Sequence, residues 1–127
     1  MTTDRRRWAA SAAADLACIV IFVLVGRRSH HEDAGLAGFV RVAWPFAVGL
    51  VVATAVGVLA RLRPWSSGLV AWSGTVVVGM ALRIGVQDRG FKSGFVIVTT
   101  LFLALTMLGW RAVAWAVVPR VRRARAR

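Results

Sequence analysis

Asp15 and Arg111 are the residues most out of place in this sequence. One sits in "AAADLACIVIF", the other in "TMLGWRAVAW". A charge near the centre of a bilayer costs about 2.5–3.5 kcal/mol on insertion scales, so such residues pair, face a polar cavity or carry ions. An acid and a base in that position could form an ion pair that joins two helices. Asp15 could instead carry a proton or bind a substrate, and Arg111 could snorkel to the interface. Ser11, one turn before Asp15, and Trp110, beside Arg111, could complete a small polar site.

A second group of polar residues is the stretch "VGRRSHHEDAG". Arg27, Arg28, Arg41 and Arg83 each fall at or just inside an apolar run. They could ring a shallow vestibule that attracts anions, or anchor helices to lipid phosphates. His30 and His31 could sense pH. They are adjacent, about 100° apart on a helix, and no other histidine exists in the chain, which argues against a metal site within one chain. Ser29 and Glu32 have capping-box spacing, which predicts a helix start there. The single cysteine, Cys18, rules out an intramolecular disulfide. No nucleophile–base pair, phosphate loop or paired carboxylate is present, so neither catalysis nor a cofactor is expected.

The elements that must position these residues are membrane spans. Of the 127 residues, 58% are hydrophobic, with a mean hydropathy of +0.68. That is too apolar for a soluble fold of this size, which leaves much of its surface in water. Yet the net charge is +12. Apolar spans joined by charged connections reconcile the two. A hydrocarbon core about 30 Å thick needs roughly 20 helical residues, and four runs qualify: 8–25, 39–60, 65–82 and 95–118. The first is preceded by Arg5, Arg6 and Arg7 and lacks a small-x-small cleavage site, so it reads as an uncleaved span.

Short connections make neighbouring spans antiparallel. Ten Lys and Arg residues then fall on the side of the termini and five on the other, which predicts cytoplasmic termini by the positive-inside rule. Trp8, Trp65 and Trp115 group at the terminal boundary; Phe39, Trp44, Phe91 and Phe95 group at the opposite one. Asp15 lies about 12 Å inward of Arg7 and Arg111 about 13–14 Å inward of Arg120, so the first and last spans hold opposite charges at matching depth. Rows of small residues at four-residue spacing predict close helix contacts: Gly49, Ala53 and Gly57; Ala71, Thr75 and Gly79; and a weaker row of Ala10, Ala14 and Cys18. Pro45 predicts a kink in the outer end of the second span. The tail "RVRRARAR" follows a span directly and lacks interleaved aromatics. It therefore reads as an anchor for anionic lipid at the cytoplasmic face, not as a nucleic-acid contact.

The segments "DLACIVIFVLVGRRSHHE", "WPFAVGL", "GLVAWSGTVVVGMALR" and "FVIVTTLFLALTMLGWR" together resemble an uncharacterised family of small bacterial and archaeal four-helix membrane proteins. The family's recurring polar positions match Asp15, Arg28, His30, His31, Trp44, Pro45, Arg83, Trp110 and Arg111. The resemblance implies an architecture and no chemistry.

The sequence thus predicts one all-α domain over residues 1–127, an integral membrane four-helix bundle in a bacterial cytoplasmic membrane. Its role is expected to be that of a non-enzymatic accessory or structural module. The alternative is a small oligomeric transporter or channel-like protein, linked to anions or protons, for which a homo-oligomer would supply the path.

Overall fold

The computed structural model describes residues 2–30, 35–88 and 90–127 of the protein. The chain forms α1 (Thr2–His30), α2 (Leu36–Leu59), α3 (Pro64–Gly85), α4 (Ser93–Leu103), a π-helical turn (Ala104–Leu108) and α5 (Gly109–Arg125). The last three run on as one rod, so four helices are long and apolar enough to cross a membrane. No strand occurs among the described residues. This is the predicted all-α four-helix bundle.

The helices outrun the predicted spans. Hydropathy marks only the part that lipid surrounds, whereas a helix continues as long as each new residue adds a backbone hydrogen bond. α1 therefore carries Gly26, Arg27 and Arg28 within its last turns, and α5 passes through Pro119 to Arg125. Ser29 closes α1 and does not open α2, which corrects the predicted capping box; α2 begins after an extended Gly35. His31, Glu32, Asp33 and Arg89 lie outside the described residues, as does the His30 side chain.

The tight connection between α2 and α3 is built locally. The Leu62 N–H donates to the Gly57 carbonyl and the Arg61 N–H to that of Val58, with Arg61 at φ 50°. This is the double bond of a Schellman ending, with arginine in the place glycine usually takes. Pro64 then opens α3, where a missing N–H costs nothing.

α2 and α3 form the most extensive helix contact, and the two predicted rows of small residues meet there. A Cβ added to Gly49 would stand 2.9 Å from the Thr75 carbonyl oxygen and 3.2 Å from that of Gly74. One added to Gly79 would meet the Phe46 ring at 2.5 Å. Pro45 is buried inside α2, in the same four-residue series as Gly49, Ala53 and Gly57. The weaker row in α1 does not behave this way: Ala10 is exposed and Ala14 only half-buried. Its place is taken by Asp15, Cys18, Ile19, Phe22 and Val23, a stripe at i, i+3, i+4, i+7 and i+8 that faces the bundle.

Away from the termini the core is aromatic. Phe22 lies edge-on to Phe46 at 5.7 Å and close to Phe95 and Phe102. At the terminal end Trp65 and Trp115 meet edge to face at 6.3 Å, and Trp8 packs over Gly57. Val51, Val77, Leu101 and Leu105 point outward, as suits helices whose solvent is lipid.

Candidate functional site

Asp15 occupies a core-facing position in the α1 stripe and is 1% exposed. Its carboxylate is met from the fourth span. Arg111 Nη1 donates to Oδ1 at 2.6 Å and Nη2 to Oδ2 at 2.7 Å, the parallel two-bond geometry that suits guanidinium and carboxylate. Trp110 Nε1 donates to Oδ1 at 2.9 Å, and Arg111 Nη1 also donates to the Met107 carbonyl at 2.9 Å. The carboxylate thus accepts three charge-assisted or indole bonds, and little of the Arg111 side chain, 11%, is exposed. Ser11 takes no part in these bonds.

Two local features let this happen. Gly68 of α3 leaves the room: a Cβ there would stand 2.6 Å from Arg111 Cδ. The other is the π turn. Thr99, Leu103 and Met107 are the buried residues of the fourth span, and Arg111 follows at the same four-residue spacing. In a continuous α-helix each such step drifts about 40°, so Arg111 would lie about 120° off the Thr99 face. An i→i+5 turn absorbs one extra residue. That brings Arg111 back to within about 20° of the buried face. The sequence reading missed this turn. The repeat was visible, but similar spacing in α2 marks an ordinary helix crossing, so spacing alone does not identify a π turn.

Cys18, one turn along α1, is a buried free cysteine. Thr100 and Thr106 each donate to the carbonyl four residues back, and Trp72 Nε1 donates to the Thr100 carbonyl at 3.1 Å. The buried hydroxyls of Thr75 and Thr99 have no such partner.

The arginines of the predicted vestibule lie at the opposite end of the bundle. Arg28 and Arg41 are exposed and Arg27 is half-buried; the Arg41 carbonyl accepts a bond from Gln87 Nε2. Arg83 lines a cleft with Met80, Ile84, Gly90, Lys92, Phe95 and Val96. Its guanidinium lies 4.1 Å from the centre of the Phe95 ring. Lys92 is the cation that the sequence reading did not single out there. Among the described residues no three His, Cys, Asp or Glu side chains group as metal ligands.

Four membrane-length helices, closed by a charged contact between the first and the last, define a multi-pass membrane bundle. The chain belongs to DUF3054, a family of proteins of unknown function, whose match covers residues 12–114 and so includes both Asp15 and Arg111. Neither a curated protein nor a solved structure matches the chain.

Proposed function

We propose that this protein is a non-enzymatic accessory or structural module of a bacterial cytoplasmic membrane, with the Asp15–Arg111 contact clamping its first and last spans together. The observation that carries the reading is the closure of the carboxylate: Asp15 is buried and holds three donors. A proton carrier must exchange its proton with water, and a substrate-binding acid must leave a lone pair for the substrate. A carboxylate forked by Arg111 and capped by Trp110 is suited to neither.

The rival reading, a small oligomeric anion- or proton-linked transporter, draws on the same intramembrane acid. Flux decides between them. Purified protein reconstituted into vesicles with an internal pH dye should dissipate imposed proton and anion gradients no faster than protein-free vesicles. A flux abolished by Asp15→Asn, in a variant that keeps its melting temperature and oligomer profile, would overturn the module reading.

The same proposal places both termini in the cytoplasm, on the Lys and Arg bias toward their side of the bundle. A green fluorescent protein fused after Arg127 should fluoresce in bacterial cells. A dark fusion together with an active periplasmic phosphatase fusion at the same point would reverse the orientation.

A further inference from the structure

We propose that Trp72 of α3 is the positioning residue of the Asp15–Arg111 clamp. Its indole bond to the Thr100 carbonyl holds the π turn, and with it the phase that brings Arg111 to Asp15. The inference rests on the clamp reading and adds a third helix to it.

The local sequence does not ask for a π turn. Ala104–Leu108 reads "ALTML", with no proline or glycine, and Ala, Leu and Met are among the strongest α-helix formers. Something outside the segment must therefore hold the wider turn. Trp72 Nε1 donates to the Thr100 carbonyl at 3.1 Å, one turn before the π turn begins. A regular α-helix would give the Ala104 N–H to that carbonyl alone. Here the N–H is shared between the Thr100 and Leu101 carbonyls. An outside donor on a ladder carbonyl competes with the helix's own bond, which is how an inserted side chain distorts a helix.

Thr106 acts on the ladder from within. Its hydroxyl donates to the Phe102 carbonyl at 2.9 Å and reaches that of Leu103 at 3.5 Å, a back-bond that bends helices slightly. Thr106 rotates with the fourth span, so it cannot fix the phase of that span against the others. Trp72 can, because it stands on α3 and packs against the core. Gly68 and Trp72 lie four residues apart, on one face of α3. The first leaves space for the Arg111 side chain, and the second sets the rotation that directs Arg111 there.

Thermal melting of the full-length protein in one detergent tests this, with and without a deletion of Leu105. Leu105 points outward at 76% exposure. Removing it takes out the extra residue, so the span becomes a regular helix with Arg111 in the same phase. Trp72→Phe keeps a ring and loses the donor. It should lower the melting temperature by about 4 °C, the scale of one lost hydrogen bond in a chain of this size. In the Leu105 deletion the same change should cost under about 2 °C, since no π turn needs holding. Trp110→Phe, which loses a bond made directly to Asp15, should cost the same in both backgrounds. If Trp72→Phe does not fold on its own, the deletion should restore its folding. A Trp72→Phe loss that is absent, or equal in both backgrounds, overturns the proposal. So does a Leu105 deletion that melts as low as Asp15→Ala. Both results leave the clamp standing. An Asp15→Ala variant that melts with the wild type removes the clamp itself, and this inference with it.

Discussion

Asp15→Ala should lower the stability of the bundle by about 3 kcal/mol, the scale of a charge left uncompensated within a membrane. Interhelical hydrogen bonds in membrane proteins average only about 0.6 kcal/mol, because a helix separated in lipid finds other partners. The larger cost here comes from the group left behind. Arg111 would keep its charge, lose both bonds to the carboxylate and stay packed against Gly68. The single change Arg111→Met should also cost stability, because it leaves the buried carboxylate with Trp110 as its remaining donor. The double change Asp15→Leu with Arg111→Met should recover most of the loss, as apolar replacement of buried ion pairs often does. Thermal melting in one detergent, with the oligomer profile as a check on fold, measures all three. If the double variant melts no higher than Asp15→Ala, the pair is not acting as a clamp in the proposed sense. The reciprocal exchange, Asp15→Arg with Arg111→Asp, is the stricter form: each single change should collapse the fold and the exchange should restore part of it.

Gly49→Val should be among the most damaging glycine substitutions in the bundle, at about 3 kcal/mol or more, the upper range for overpacking a well-filled interior. The reason lies in what the new atoms would meet. Around Gly68 the obstacle is the flexible stem of Arg111, and around Gly57 the tip of the Trp8 ring. Around Gly49 it is the α3 backbone itself, with the Thr75 Cα at 3.0 Å and its carbonyl oxygen at 2.9 Å. No rotamer change relieves that contact, so α2 and α3 must separate along their most extensive interface. Gly26→Ala, where nothing lies within 4 Å, is the matched control and should be neutral or slightly stabilising through helix propensity. Equal melting temperatures for Gly49→Val and Gly26→Ala would mean that the helices do not meet as described.

The parts of this protein legible in the sequence are those governed by one-dimensional patterns. Lipid asks for about 20 apolar residues in a row, so the four spans follow from a count. The pairing of Asp15 with Arg111 follows from cost and depth, since two opposite charges at one level in hydrocarbon have strong reason to meet. The sequence offers Trp110, beside Arg111, as a residue that could complete the polar site. Its bond to the carboxylate depends on helix rotation, which adjacency in sequence does not give. Ser11 shows the converse: correct spacing on α1 did not bring it into the hydrogen-bonded site. Of the row Ala10, Ala14 and Cys18 only Cys18 is buried, because small residues permit close approach without requiring it. The packed face of α1 instead went to the bulkier stripe through Ile19, Phe22 and Val23.

By itself, then, the sequence determined a four-span helical membrane bundle, rows of small residues in its second and third spans, and an acid and a base held at matching depth in its first and last spans. Only the tertiary structure decided how that depth becomes contact. The π turn at Ala104–Leu108 resets the phase of the fourth span, Gly68 leaves space for the guanidinium, and Arg83 and Lys92, nine positions apart, come to line one cleft. Each is a matter of helix phase or of space left by another helix. A single residue of phase turns a side chain by about 100°, so patterns that locate a helix well leave undetermined which neighbour its polar residues will face.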